Sequence, residues 1–383
     1  MNPSGAVRRA RRTIDALVDA TPPERDRVVD AIRAASIAVV IVWHWSLSIT
    51  HRDADGVLVN PNPIAEVPLG WLPTWVLQVM PVFFVVGGFA NRAGWCSTLA
   101  DGNGAGAFLG GRVRRLLGPP LVFVLVWAAI DGMLLLLVDG HRSVLVTAPI
   151  VFIPLWFVGA YLWVVALVPI TARLHDRGRW VTLAVLAAVV AGTDVVRFAL
   201  GSDAAGWVNT ALVWVFVHQL GYLWHDGTLT AWRTRTLLAV AVVGIGLLAL
   251  CTTLEEYPRS MVGTGGEGSH MYPTTAVIAV LAIVQLALVL GVRPHLATWL
   301  RRKRPWTAVV AVNAAIMTVF VWHMTALYVV VLAAEAAGVT LGAEPTLEWW
   351  LARPLWVLGP LVALAPLVAL FARVETGRDD GRS

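Results

Sequence analysis

Ten apolar runs, each about as long as a bilayer's hydrocarbon core is thick, constrain this chain more than any single motif does. A helix needs about 20 apolar residues to cross a membrane. Lipid offers no partner to an unpaired backbone group, so such runs must be helices packed on one another. They fall at residues 31–49, 70–90, 116–138, 150–170, 181–200, 207–224, 236–254, 272–292, 306–333 and 350–371. Composition agrees: 58% of the 383 residues are hydrophobic and 14% are charged, too little polar surface to cover a soluble domain of this size. The expected fold class is all-α, a polytopic membrane helix bundle of about ten transmembrane helices.

Charge orients the bundle. Cytoplasmic segments carry the excess of Lys and Arg. With the N-terminus inside, 24 of the 29 basic residues are internal, and only Arg52, Arg142, Arg197, Arg259 and Arg353 lie outside or near outer helix ends. Both termini are expected in the cytoplasm, in a multi-pass protein of the plasma membrane. Residues 1–30 read as a basic cytoplasmic arm, 31–372 as the membrane domain and 373–383 as a cytoplasmic tail. The first apolar run has no small-residue cleavage site after it and is expected to insert as a signal anchor. The net charge of +5 does not point to nucleic acid, because the arginines punctuate apolar segments. Cys96 and Cys251 fall on opposite sides, so no disulfide is expected, and no metal-ligand spacing occurs. The Gly-rich loop at 255–271 is placed to lie over an outward-facing site. Six of the 19 tryptophans (Trp71, Trp180, Trp207, Trp224, Trp306 and Trp350) sit at helix ends and read as interfacial anchors.

Ionisable groups inside a membrane helix are costly and mark function. The first helix holds Arg33 near its start and His44 beyond its midpoint, on nearly one face and roughly 16 Å apart along the axis. Alone, Arg33 reads equally as a snorkelling anchor. His44, flanked by apolar residues, reads as a proton-transfer group rather than as packing. The pattern Val40-x-Val42-Trp43-His44 recurs as Val319-x-Val321-Trp322-His323, and both helices run outward. Two imidazoles at matching depth suit a proton relay, or one imidazole orienting the other. His218 and Tyr222 read as packing or helix-end residues, Trp156 and Tyr161 as packing or cavity lining. Asp131 and Asp194 need no special role. Arg112, Arg114 and Arg115 obey the topology rule, but the glycines beside them and the helix expected to start after them would also suit phosphates.

The residues around these positions resemble a known family. Asp30-Ala-Ile-Arg33-Ala-Ala followed by His44 is similar to the first helix of the acyltransferase-3 family of membrane O-acyltransferases, whose signature is an Arg, ten residues, then a His. MPVFFVVGGFANR (80–92), FLGGRVRRLLGPP (108–120), LWFVGAYL (155–162) and VFVWHMTALYV (319–329) resemble further family segments in the family's order. One departure is Gly87, where the family usually has Ser. The resemblance implies a ten-helix enzyme with both ends inside and an acyltransferase activity. The donor it implies is a cytoplasmic acyl-CoA, carrying acetyl or another short chain. The implied acceptor is a hydroxyl of a cell-surface or lipid-linked carbohydrate, as in O-acetylation of envelope polysaccharides. On this view His44, Arg33 and His323 carry the chemistry: His44 acts as general base or takes the acyl group itself, and Arg33, paired with Asp30, stabilises the thiolate side or holds the donor. Arg112, Arg114 and Arg115 meet the donor's phosphates. No cofactor is expected to be bound, and no metal. The competing reading is a polytopic transporter or flippase of a glycan or small metabolite.

Overall fold

Helix α1 (Arg27–Ser46) starts four residues before the expected membrane segment, because Asp26 caps it by accepting from the Val28 amide at 3.0 Å. The computed structural model describes residues 12, 14–65, 67–263 and 269–376. Residues 1–11 and 13 of the basic arm and the tail from 377 onward therefore lie outside the described residues. After α1 come a two-stranded antiparallel hairpin, β1 (His51–Arg52) and β2 (Leu58–Val59), then α2 (Trp71–Leu77) and α3 (Met80–Ala100). The chain continues through α4 (Ala105–Leu137), α5 (Val144–Thr147), α6 (Pro154–Leu200), α7 (Asp203–His225), α8 (Thr234–Cys251) and α9 (Ala276–Trp299). Helices α10 (Lys303–Ala314), α11 (Ile316–Ala336), α12 (Leu347–Leu351) and α13 (Arg353–Thr376) complete it. The protein is a polytopic helical bundle with almost no strand.

Among the described residues, eight helical stretches are long and apolar enough to cross a membrane. One of them contains α6, which reverses direction at Gly178, where the backbone is extended rather than helical. Its contacts with α7 show the reversal. In the first half, Trp163 donates to the Ala211 carbonyl, Thr171 pairs with Tyr222 and His175 with Asp226, so both sequence positions rise together and the helices are parallel. In the second half, Asp194 meets Asn209 and Arg197 lies against Gly206, so the helices are antiparallel. Helix α7 is not one of the eight. Its residues 213–224 are all buried among other helices, and an enclosed helix needs no lipid-facing apolar surface.

Two predicted single helices are broken, and side chains meet the backbone groups that the breaks release. Between α2 and α3, Gln78 donates to the Met261 carbonyl and accepts from the Met80 amide, while its own carbonyl accepts from Gln285. Between α10 and α11, the Glu375 carboxylate accepts from the Met317 and Thr318 amides and from the Thr318 hydroxyl. Two of the expected tryptophan anchors are interior instead. Trp224 is packed inside, and Trp306 lies under Arg27 with its indole N–H on the Thr21 hydroxyl at 3.1 Å. Asp194 also departs from expectation: buried, it accepts from Asn209, Tyr257 and the Ala276 amide, and so ties α6, α7 and the 255–271 loop to the start of α9.

At the arginine-rich end, Arg92 of α3 bridges Asp176 of α6 and Asp226 after α7, and Asp226 also accepts from His175. Nearer the bundle centre, α3 and α7 touch backbone to backbone. A Cβ on Gly88 would stand 1.9 Å from the His218 carbonyl oxygen, and one on Gly221 would stand 2.0 Å from that of Val85. Small residues at such a crossing let membrane helices approach closely. Gly88→Val or Gly221→Val must push the helices apart and should cost about 1–3 kcal/mol or more. Thermal unfolding of the detergent-solubilised protein should show both variants melting earlier than Gly110→Val, whose added atoms meet open space.

Candidate active site

The structure brings the two histidines of the repeated pattern together. α1 and α11 run parallel, and His44 Nδ1 lies 2.9 Å from His323 Nε2, with ring planes within 8° of each other. The protons can be assigned from the partners. His323 Nδ1 contacts the Phe320 carbonyl, which can only accept, so that nitrogen carries the hydrogen. In the neutral ring Nε2 is then a lone pair, and His44 Nδ1 donates to it. The remaining atom, His44 Nε2, is an unprotonated acceptor with no hydrogen bond to another described residue. Trp45 fixes the pair further by donating to the His323 carbonyl at 3.1 Å.

His44 lines a cavity of about 660 Å³, within the range of small-molecule sites, whereas His323 is fully buried behind it. Apolar and aromatic side chains form most of the wall, including Trp43, Trp156, Phe157 and Phe320, with Ser48, Asn60, Asn62 and Gln78 as polar points. The 255–271 loop does reach this cavity: Val262, Gly263, Ser269 and Met271 line it, and Asn62 donates to the Gly263 carbonyl. His270 holds the loop. Its Nε2 donates to the Pro258 carbonyl at 2.7 Å, and its Nδ1 accepts from the Thr275 hydroxyl at 2.8 Å. Burial pushes its pKa down to about 4, so the ring stays neutral with both bonds intact near pH 7.

Arg33 is not in the cavity. It lies about three turns away at the arginine-rich end, in a network rather than as a free anchor. Its Nη2 pairs with Asp30 at 3.2 Å and its Nε donates to Asn313 of α10 at 2.7 Å. Asn313 donates in turn to the Asp30 carbonyl, and Arg25 holds the other side of the Asp30 carboxylate. Arg33, Arg112 and Arg115 lie within electrostatic reach of one another, and Arg33 and Arg112 also of the Tyr161 hydroxyl.

The setting of the arginine cluster differs from expectation. α4 begins at Ala105, so Arg112, Arg114 and Arg115 lie in its second and third turns, not in a loop before it. Backbone amides beside them are already bonded within the helix and cannot cradle an anion; only guanidinium groups are offered there. Arg112 folds back over Gly94 to donate to the Ala90 carbonyl at 2.9 Å, while Arg114 and Arg115 are exposed.

Tyr161 fills the place left by the glycine at position 87. A Cβ there would lie 2.7 Å from the tyrosine ring and 2.9 Å from its hydroxyl. That hydroxyl accepts from Asn91 at 3.3 Å, and Asn91 also meets His218 Nε2 at 3.0 Å. His218 is thus a buried, bonded interior residue. Asn313, Phe320, Trp45 and Asn91 were not singled out from the sequence. Asn313 and Asn91, as polar residues in apolar helices, carried a readable signal; the carbonyl of Phe320 carried none.

A paired set of imidazoles at a cavity wall, with clustered arginines at the opposite end, sits in a polytopic helical membrane bundle. The family model described as an acyltransferase domain, acyltransferase-3, matches residues 26–374. The chain belongs to that family, and it is an acyltransferase. No curated protein and no solved structure matches it.

The Gly87 contact is testable by coupling. Gly87→Ala alone should cost about 1–3 kcal/mol through overlap with Tyr161. In a Tyr161→Leu background most of that loss should disappear, and equal losses in both backgrounds in a thermal-unfolding cycle would contradict the packing.

Proposed function

We propose that this acyltransferase moves an acyl group, acetyl or another short chain, from acyl-CoA to a hydroxyl of a cell-surface or lipid-linked carbohydrate. The observation that carries this reading is the bond chain from the Phe320 carbonyl through His323 to His44, which leaves the unprotonated His44 Nε2 at the cavity wall. The acceptor hydroxyl binds in that cavity and gives its proton to Nε2. Its oxygen attacks the thioester carbonyl, the C–S bond breaks as the C–O bond forms, and the leaving thiolate takes the proton from the imidazolium. His323 keeps the His44 ring in the required tautomer and accepts the Nδ1 hydrogen bond, which strengthens as the imidazolium forms. Apolar walls exclude water, the competing acceptor.

The donor's phosphates meet the guanidinium forks of Arg112, Arg114 and Arg115, with Arg33 beyond them, and the acyl-bearing arm spans the roughly 16 Å of helix between Arg33 and His44. The positive-inside rule supports placing the arginine-rich end and both termini in the cytoplasm of a plasma-membrane protein, where acyl-CoA is available, and the His44 cavity on the outer side, where envelope glycans are exposed. No resident cofactor or metal takes part in this reading.

Purified protein in lipid nanodiscs, given radiolabelled acetyl-CoA and envelope glycan acceptors, should form an acyl ester. His44→Ala should lose 100-fold or more of the rate while inserting normally, in line with the 10²–10⁴ contribution of a general base. His323→Leu should lose at least tenfold with little change in acceptor KM. Normal transfer by His44→Ala would sink the assignment.

A further inference from the structure

A second cavity adjoins the first. It holds about 490 Å³ below the segment that leads from α11 into α13, at the same end of the bundle as His44. Ser48, just past the end of α1, lines both cavities. The chemistry changes across that residue: the His44 cavity is mostly apolar and aromatic, whereas the second one presents Ser48, Thr50, Thr346, Glu344, Glu348 and Arg353.

The polar groups are available. Ser48 and Thr50 are only 4% and 7% exposed, yet neither hydroxyl makes a hydrogen bond to another described residue. Both side chains line the cavity, so their free hydroxyls are available to a ligand there. Arg353 lies flat against Trp349, 3.7 Å from the ring centroid, and 5.4 Å from that of Trp356. Its Nε donates to the Trp349 carbonyl at 2.9 Å and its Nη1 to that of Ser48 at 3.4 Å, which leaves Nη2 to donate elsewhere; no carboxylate pairs with it among the described residues. Glu344 and Glu348 are likewise in no ion pair among the described residues. One cation against two carboxylates repels anions, so phosphate- or carboxylate-bearing ligands are disfavoured. Hydroxyl groups that both donate and accept, carried on a skeleton with an apolar face, complement guanidinium, carboxylate, hydroxyl and indole together.

We infer that this cavity is a second acceptor subsite for a neutral sugar unit, adjoining the unit whose hydroxyl reaches His44. The inference rests on the proposed carbohydrate acceptor and narrows it: the acceptor has at least two linked units and carries little negative charge where it lies beside Arg353. A neighbouring groove that shares Val339, Thr340 and Leu341 with this cavity and adds Arg52 and Glu335 continues the polar surface outward, as a longer glycan requires.

The test is saturation-transfer NMR on the detergent-solubilised full chain without acyl-CoA. The probes are a neutral hexose trisaccharide, its methyl monosaccharide and a uronic-acid trisaccharide. Wild type should saturate two adjacent units of the neutral trisaccharide, at least fivefold more strongly than the monosaccharide and the uronic-acid probe. Thr50→Val and Glu348→Gln should each lower the signal of one unit threefold or more and leave the other unchanged. Equal signals in the variants, preference for the uronic-acid probe, or no binding of the neutral trisaccharide would overturn the subsite. Transfer assays separate the two readings: an enzyme that acylates monosaccharides and trisaccharides alike refutes the subsite alone. The expected NMR pattern without any acyl transfer refutes the reaction and leaves the sugar site standing.

Discussion

The hydrogen bond between His44 and His323 depends on a register set three helical turns away. Burying an imidazole among apolar helices is unfavourable unless its nitrogens find partners. Here each ring nitrogen but one has a partner, and the chain ends on the Phe320 carbonyl. The bond exists only if α1 and α11 present the same face at the same height. A one-residue slip would rotate either ring by about 100° and move it about 1.5 Å along the axis. The polar network at the arginine-rich end opposes the slip through α10, which Ala315 alone separates from α11. Arg33 and the Asp30 carbonyl both engage Asn313, and Arg27 donates to the Leu300 carbonyl. Arg33 therefore has a structural effect on His44 without touching it. Its place in the first helix makes sense even apart from any contact with a donor.

The helices were legible in the sequence because a bilayer allows one kind of answer: about 20 apolar residues must be a helix, and arginines must gather on one side. The histidine pair was legible through the repeated Val-x-Val-Trp-His pattern in two helices of the same direction. The start of α4 was not. Gly106, Gly110 and Gly111 each weaken a helix by about 1 kcal/mol relative to Ala, which reads as a loop, yet the helix runs through them. Trp224 and Trp306 sit at helix ends, where indoles usually meet lipid headgroups, but neighbouring elements cover them. Local sequence does not say which neighbour will arrive.

The same limit applies to contacts between distant segments. Nothing in MPVFFVVGGF tells that the space beside Gly87 belongs to a tyrosine 74 positions later. With the structure, the glycine and the tyrosine read as one exchange: a side chain is absent on α3, and a hydroxyl arrives from α6 at almost the same point. The second cavity is a harder case, since Ser48 and Thr50 follow one helix while Glu344, Glu348 and Arg353 lie some 300 residues on. None of these residues is unusual alone; only their convergence puts hydroxyls, carboxylates and a guanidinium on one cavity wall.

The fixed register also bears on whether the bundle carries a substrate across the membrane rather than acting on it. Transport by alternating access requires that one group of helices rock against another around a central site, opening it first to one side and then to the other. The helices that would have to part around His44 are α1 and α11, which are joined directly beside the imidazoles and, at the other end, through α10, separated from α11 by Ala315 alone. At one end Arg33 and Asp30 meet Asn313, and at the other Trp45 donates to the His323 carbonyl while the imidazoles pair. Glu375 of α13 adds a third tie by holding the first amides of α11. Separating these elements would strand several buried polar groups at once, each costing about 1–3 kcal/mol. A site held this way suits chemistry on a stationary pair of imidazoles.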